Sequence, residues 1–188
     1  MRNALINDKS LSDSTISVFV KSGMSEAPSD YSGRPYGGVA ILAKDRPGMH
    51  INEIETNSDR LLAVSLNDAH GNPVRIVACC YFPYYDKSDK HHTDAFQETI
   101  DALQGLIDGY SALCPVILCG DFNVQLPSKA KLQNQWYKEK GYNIHSRIFY
   151  DFLMLNNMIL ADFMFKQDLF HIMSFMVQSI TSYSNRSA

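Results

Sequence analysis

Hydrophobic and polar positions along the chain fall into short blocks that predict a sheet covered by helices. Five blocks rich in β-branched and aromatic residues are predicted to be strands, at Thr15–Val20, Gly38–Ala43, Leu61–Leu66, Val74–Phe82 and Pro115–Asp121. Turn residues between the third and fourth blocks predict a hairpin. A segment rich in Ser, Gly, Pro and Asp, Ser22–Gly38, is predicted to be a long loop.

Two later segments show the three- and four-residue spacing of amphipathic helices. The first is expected to begin at a Thr93 cap and to end near Ser111, and the second to begin at a Ser146 cap. The adjacent His91 and His92 are expected in the loop before the first helix, as solvated residues rather than a metal pair. Strands and helices in this order predict a layered α/β fold.

Composition indicates one folded globular domain rather than a disordered chain. The 188 residues are 45% hydrophobic and 20% charged, with a net charge of −3. That charge excludes a globally basic nucleic-acid binder but leaves room for a local basic patch. The four cysteines form no Cys-x-x-Cys, which favours buried free thiols over a zinc site. Without a membrane-spanning run or a signal-peptide core, an intracellular location, nuclear or cytoplasmic, is expected.

The most informative stretch is the apolar run that ends abruptly in Gly120-Asp121-Phe122-Asn123. Such a run is typical of a buried strand, and its carboxyl end is open to solvent. If strand alternation continues, Asp121 and Asn123 point the same way while Phe122 turns into the core. A carboxylate there can bind a hard cation or activate water, and a carboxamide can fix a phosphate oxygen. The alternative is a strand followed by an ordinary turn.

A basic segment follows this motif. Between residues 128 and 147 the basic residues are Lys129, Lys131, Lys138, Lys140 and Arg147, interleaved with Trp136, Tyr137 and Tyr142. Basic groups can neutralise phosphates and flat rings can stack on bases, so DNA is the expected partner. Lys129 and Lys131 are the candidate substrate-binding residues. A solvated surface segment is the alternative.

Four segments occur in one order along the chain: Gly33–Leu42, Ser58–Val64, Tyr81-Phe82-Pro83 and Gly120–Val124. In this order they resemble the endonuclease/exonuclease/phosphatase superfamily, and within it the apurinic/apyrimidinic-like endonuclease domains of non-LTR retrotransposons. The resemblance covers about Leu11 to Phe163. It implies a single domain over residues 1–188, built as a four-layered α/β sandwich in which two packed mixed β-sheets are flanked by helices.

The resemblance also implies roles for individual residues. Asp121 would bind Mg²⁺, with Mn²⁺ as the alternative, and align the attacking water. Asn123 would hold Asp121 and contact the phosphate, and Tyr81 would offer its hydroxyl to a phosphate oxygen. Arg60 would support the site or neutralise charge. The alternatives are a Tyr81 hydroxyl in water and a solvated Arg60 at a strand start.

The chain also departs from the family pattern. The family's metal-binding Glu lies in a strand for which no counterpart precedes Thr15, and Glu26 is expected in a loop. The family's terminal Asp-His element has no counterpart, and His171 lies in a different sequence context. The metal site is therefore expected to be incomplete, the chain a fragment, and residues 169–188 an atypical tail. Whether the chain is an enzyme stays open.

The function implied by the resemblance is metal-dependent phosphodiester hydrolysis, as in the DNA endonuclease domain of a non-LTR retrotransposon. The activity is expected to be weakened or absent in this chain, and a reverse transcriptase domain is expected in the intact parent protein. Two alternatives stay open. One is another phosphoesterase of the superfamily, acting on inositol phosphate, sphingolipid or RNA, and the other is a non-catalytic remnant that binds nucleic acid.

Overall fold

The computed structural model describes residues 16–22, 38–126, 142–160 and 174–178, with residues 160 and 174–178 described by their backbone alone. The strands are β1 (Ile16–Lys21), β2 (Val39–Lys44), β3 (His50–Ile54), β4 (Leu61–Asn67), β5 (Pro73–Tyr81), β6 (Val116–Asp121), β7 (Met158–Leu160) and β8 (Ser174–Gln178). The helices are α1 (Lys90–Tyr110) and α2 (Ile144–Leu155).

These strands form two sheets. β1 and β2 make an antiparallel pair, and the other six strands form one mixed sheet in the order β3-β4-β5-β6-β8-β7. Within the mixed sheet β4 and β5 form the expected antiparallel hairpin, whereas β5 and β6 run parallel with α1 between them in the chain. Parallel neighbours require such a crossover connection, because both strands must start at the same end of the sheet.

Strand alternation divides the core between the two faces of the mixed sheet. One face, with Ala63, Ala78 and Leu118 at its centre, packs against α1 and α2. The opposite face presents Leu62 and Val64 to β1 and β2. Burying both faces explains why the central strands are almost continuously apolar.

The predicted α/β sandwich of two packed sheets with helices is confirmed by this arrangement. Among the described residues the layers are the two helices, the mixed sheet and the antiparallel β1–β2 pair. No helix in the described part of the chain is both long enough and apolar enough to cross a membrane.

The first helix begins one turn earlier than its apolar spacing indicates. Asp89, not Thr93, caps it by accepting a 2.9 Å hydrogen bond from the backbone N–H of His91. The expectation that His91 and His92 lie in a loop is therefore wrong, since both belong to the first turn. The Thr93 hydroxyl lies 3.3 Å from Nε2 of His145 instead. Asp caps a helix more strongly than Thr does, so α1 begins after Asp89 rather than after Thr93.

The second helix also starts ahead of its predicted cap. Asn143 is the capping residue, and its side-chain oxygen accepts the backbone N–H of Ser146 at 2.9 Å. Ser146 is buried, and its hydroxyl accepts a 3.1 Å hydrogen bond from the backbone N–H of Gln125. Ser146 therefore connects α2 to the loop that follows β6, rather than capping the helix.

Three strands have no counterpart in the sequence prediction: β3, β7 and β8. β3 is mostly exposed and polar at one edge of the mixed sheet, so it lacks the apolar alternation that marks a strand. β8 lies within the segment expected to be an atypical tail and pairs with both β6 and β7. Of the predicted loop Ser22–Gly38, all but its two end residues lie outside the described part of the chain.

Candidate functional site

The candidate residues meet where three central strands reach the same end of the mixed sheet. Tyr81 and Asp121 are in-register partners at the carboxyl ends of β5 and β6. Arg60 precedes β4, whose first residue lies beside the last residues of β5. The carbonyl oxygen of Arg60 accepts a 2.9 Å hydrogen bond from the backbone N–H of Tyr81. The structure thus brings together groups that are far apart in sequence.

Arg60 and Tyr81 also contact each other through their side chains. The guanidinium carbon of Arg60 lies over the Tyr81 ring, 5.8 Å from its centroid. Both residues are half-buried, and the Tyr81 ring packs against the apolar cluster between the two sheets. Alternation along β6 places Asp121 on the same side, because Leu118 faces the helices. The site therefore lies at the end of the seam between the sheets.

The predicted alternation stops at Asp121, where β6 ends. Phe122 does turn into the core, but Asn123 has a positive φ of 48° and so leaves the extended conformation of the strand. Its backbone N–H donates a 3.1 Å hydrogen bond to Oδ1 of Asp121. Asp121 is exposed, so this hydrogen bond fixes a carboxylate that remains open to solvent. Asn is among the few residues that adopt this backbone conformation readily.

The side chain of Asn123 links the two loops of the site. Its Nδ2 donates a 2.8 Å hydrogen bond to the carbonyl oxygen of Phe82, which follows β5. The backbone N–H of Phe82 in turn donates to the carbonyl oxygen of Asp121 at 2.9 Å. Asn123 therefore holds Asp121 through its backbone and holds the β5 loop through its side chain. Its predicted contact with a phosphate stays a prediction.

Gly120 allows β5 and β6 to approach closely just before the site. It has a positive φ of 132°, and a Cβ atom there would overlap the carbonyl oxygen of Cys80 and lie 2.8 Å from its nitrogen. Any side chain at this position would push apart the strands that pair Tyr81 with Asp121. The close contact with the Cys80 backbone thus explains why the Gly-Asp-x-Asn motif has a glycine at this position.

Sequence reasoning missed a second cation at this end of the molecule. Nζ of Lys21, the last residue of β1, donates hydrogen bonds to the carbonyl oxygen and the hydroxyl of Thr56, at 2.7 and 2.8 Å. The Thr56 hydroxyl donates to the carbonyl oxygen of Leu61, next to Arg60. Nothing in the sequence spacing places a β1 lysine beside the start of β4, so no pattern could have indicated it.

The site meets only the minimum requirement for a Mg²⁺ ion. No group of three or more His, Cys, Asp or Glu side chains that could hold a metal occurs among the described residues. Asp121 is the carboxylate of the set formed by Arg60, Tyr81, Asp121 and Asn123. Mg²⁺ is often held by one or two carboxylates together with water and substrate phosphates. The residues present therefore fit an ion that arrives with its substrate, not a preformed cage.

The remaining candidates lie outside the described residues. They are Lys129 and Lys131, most of the basic and aromatic segment around them, and also Glu26 and His171. The predicted contact with DNA accordingly stays a prediction.

Comparisons with solved structures give distant likenesses, among them a human and a bacterial protein. No protein-family model and no curated protein matches the chain. The chain is similar to the human Nocturnin catalytic domain, solved with a bound sulfate anion, at 13% identity and a TM-score of 0.43. It is also similar to a mannosyl-6-phosphatase of Bacteroides thetaiotaomicron, at 16% identity and a TM-score of 0.38.

These matches cover 75% and 78% of the present chain, but 52% and 59% of the two solved chains. The chain thus corresponds to little more than half of either protein. Likeness at these identities and TM-scores adds no argument about activity or substrate.

Proposed function

We propose that the sheet end formed by Arg60, Tyr81, Asp121 and Asn123 is a site for phosphoester hydrolysis. The observation that supports this most is the in-register pairing of Tyr81 with Asp121, beside the Arg60 guanidinium. The three side chains provide a carboxylate, a phenol and a fixed positive charge at one solvent-facing position. These are the groups needed to direct a water, hydrogen-bond a phosphate oxygen and neutralise its charge.

The contacts of each residue support a specific role in the proposed hydrolysis. The Asp121 carboxylate, oriented by the Asn123 N–H, can accept a hydrogen bond from a water molecule and direct its oxygen toward phosphorus. The Tyr81 hydroxyl can donate to a non-bridging phosphate oxygen, and the Arg60 guanidinium can stabilise negative charge on the phosphoryl group. Asn123 keeps the two loops at a fixed separation through Phe82. Positioning of this kind lowers the barrier without any movement of the strands.

A divalent ion bound with the substrate would neutralise charge on the phosphate and on the leaving oxygen. Among the described residues Asp121 would hold it, and Mg²⁺ is the expected ion, with Mn²⁺ as the alternative.

We further propose that the substrate is a DNA phosphodiester, as in the endonuclease domain of a non-LTR retrotransposon. It is supported by the order of the sequence segments and by the lysines that follow Asp121 in the chain. An inositol phosphate, a sphingolipid or RNA would suit the same four residues. The lysine-rich segment favours a polyanion over a single phosphate group.

Nicking of supercoiled plasmid DNA in Mg²⁺ tests the proposal. The test variant is Asp121→Asn, which keeps a side-chain oxygen for the Asn123 N–H but removes the charge. The control is Asp101→Asn, the same change at an exposed position on α1. We expect slow nicking by the wild type, since its described residues form an incomplete metal site, a further loss of at least about 100-fold in Asp121→Asn with unchanged DNA affinity by fluorescence anisotropy, and no effect of the control. Equal nicking rates in all three proteins would remove Asp121 from the mechanism.

A non-catalytic, nucleic-acid-binding domain is the second candidate, because the described site contains a single carboxylate. It predicts DNA binding without turnover of DNA, RNA or soluble phosphate esters. Calorimetric titration with Mg²⁺ in the presence of DNA, with which the ion is expected to bind, separates the two functions, since an Asp121-dependent site for the ion would count against the non-catalytic one. Turnover of a soluble ester but not of DNA would keep the chemistry and reassign the substrate.

A further inference from the structure

Two cysteines on neighbouring strands lie side by side, directly behind the candidate site. Cys79 on β5 and Cys119 on β6 are in-register partners, two residues before the Tyr81–Asp121 pair on each strand. Alternation directs both side chains away from the helices, and Cys79 packs against the cluster between the sheets. All four cysteines of the chain are free thiols.

The two partners differ from the other cysteines in exposure. Cys80 and Cys114 are buried in the core beneath the helices, whereas Cys79 and Cys119 are each half-buried. A half-buried thiol can be reached by a molecule as small as hydrogen peroxide, but a fully buried one is inert. The chain thus has two half-buried thiols that an oxidant can reach and two buried thiols that serve as controls.

Hydrogen bonds make the two partners chemically unequal. The Cys119 thiol lies within hydrogen-bond distance of the Ala78 carbonyl oxygen, 3.5 Å away, and its single proton can instead be donated to the sulfur of Cys79. The hydrogen bond to Cys79, assisted by the backbone N–H of Ala40 on β2, lowers the pKa of Cys79 from 9.0 to about 7. The pKa of Cys119 is raised, since it retains the shared proton. The arrangement provides one nucleophilic thiolate and one neighbouring thiol.

The backbone spacing is compatible with a bond between the sulfurs. Neighbouring strands in a sheet are about 4.8 Å apart. Disulfides join Cα atoms separated by roughly 4.4 to 6.8 Å. An in-register pair therefore needs side-chain rotation rather than movement of either strand.

We propose that Cys79 and Cys119 form a redox-modifiable dithiol, in which hydrogen peroxide oxidises Cys79 and Cys119 resolves the product to a disulfide. The proposal concerns these two thiols alone and does not depend on the proposed hydrolytic function. Low-pKa, accessible cysteines next to a resolving cysteine are the usual targets of such oxidation.

The oxidation takes place in two steps. The Cys79 thiolate attacks one oxygen of the peroxide, forming an S–O bond and breaking the O–O bond, and the released hydroxide takes up a proton to become water. The Cys119 sulfur then attacks the sulfenic sulfur, forming the S–S bond and breaking the S–O bond, and the departing hydroxide takes the proton from the Cys119 S–H to leave as a second water. Two electrons pass from the sulfurs to the peroxide, which is the oxidant and its own proton acceptor.

Mass spectrometry of the folded protein treated with equimolar hydrogen peroxide tests this. We expect loss of two hydrogen atoms, a fall from four to two titratable thiols after denaturation, and full reversal by dithiothreitol. Trypsin leaves Cys79 and Cys80 on one peptide, because no Lys or Arg separates them. Fragment-ion spectra of the wild-type linked peptide are therefore needed to assign the bond, and they require no variant to fold.

Variants then separate the roles of the two sulfurs. In Cys119→Ser we expect a sulfenic acid at Cys79 that reacts with dimedone, whereas Cys79→Ser should give neither dimedone adduct nor disulfide. Cys114→Ala is the control and should still form the Cys79–Cys119 bond. A wild type that keeps four thiols under peroxide, or a linkage that involves Cys80 or Cys114, would overturn the proposal.

Discussion

The side-chain amide of Asn123 donates a 2.8 Å hydrogen bond to the carbonyl oxygen of Phe82, joining the loops that follow β6 and β5. Replacing Asn123 by Gly keeps the positive φ but removes this bond, and we expect a loss of about 1 kcal/mol in the free energy of unfolding. Replacing it by Ala removes the bond and also strains the backbone, so its loss should be larger by about 1 kcal/mol. Urea unfolding of both variants measures the two effects. A Gly variant as stable as the wild type would show that the bond contributes nothing.

Substitution of Gly120 is expected to be among the most damaging single changes in the chain. In Gly120→Ala the new methyl group would overlap the Cys80 carbonyl oxygen, and the φ of 132° is unsuited to any L side chain. We expect a loss of more than about 2 kcal/mol, because both strain and separation of β5 from β6 contribute.

A matched control is available on α1. Gly105 is exposed, and a Cβ atom there would meet nothing within 4 Å. Gly105→Ala should therefore raise stability by about 0.5 to 1 kcal/mol through helix propensity. Thermal and urea unfolding of the two variants should give opposite signs. A loss of stability in both would mean that local space does not decide the outcome.

The two helices are joined by a reciprocal pair of amides. Asn156, buried after the end of α2, donates to Gln104 of α1 at 2.8 Å and accepts from it at 3.1 Å. Asn156→Ala should lower the free energy of unfolding by about 2 kcal/mol, because it removes both hydrogen bonds to Gln104 and a buried 2.9 Å hydrogen bond to the Phe152 carbonyl oxygen. The double-mutant cycle with Gln104→Ala should give a coupling of about 1 kcal/mol. Gln97→Ala removes an exposed contact to Asp101 and is the control, with an effect within about 0.5 kcal/mol.

His145 is expected to make stability depend on pH near neutrality. Its ring is fully buried, stacked on Phe96 at 4.1 Å, and burial lowers its pKa from the usual 6.5. The unfolded chain therefore binds a proton at a higher pH than the folded chain does. Stability is complete above pH 6.5 and decreases as the pH falls below it, by at most about 1.4 kcal/mol per pH unit.

Urea unfolding at intervals from pH 8 to pH 5.5 measures this slope. Below about pH 6.5 the wild type should lose stability, while His145→Gln, which cannot titrate, should follow a flatter profile. Above pH 7.5 the two profiles should run parallel, which serves as the internal control. Profiles that are parallel throughout would exclude His145 as the source of the pH dependence.

The sequence allowed the apolar strands to be predicted, because burial produces long apolar runs, whereas the grouping of the site residues was predicted only through the resemblance to the superfamily. Leu61–Leu66 and the run before Asp121 are such apolar runs, and both are strands in the structure. Helix starts were misplaced because Thr93 and Ser146 are also residue types that cap helices, and each follows the actual cap, Asp89 or Asn143, by about one turn. The choice between neighbouring caps depends on tertiary contacts, here the contact of Thr93 with His145 and that of Ser146 with Gln125.

Other features depend on strand register, which spacing along the chain does not reveal. The pairing of Cys79 with Cys119 follows from the parallel alignment of β5 and β6, set by α1 between them. The position of Lys21 beside Thr56 requires one sheet to pack on the other. The exposed edge strand β3 has few apolar residues, so its extended conformation follows from its pairing with β4 and is not indicated by its own sequence.

The crossover from β5 through α1 to β6 has a consequence for the order of events on the ribosome. Tyr81 leaves the exit tunnel well before its partner Asp121, with the whole of α1 synthesised in between. Until β6 emerges, the phenol and the arginine have no carboxylate beside them. A nascent chain can thus form the β4–β5 hairpin early, whereas the four residues of the candidate site come together only after translation has passed Asn123.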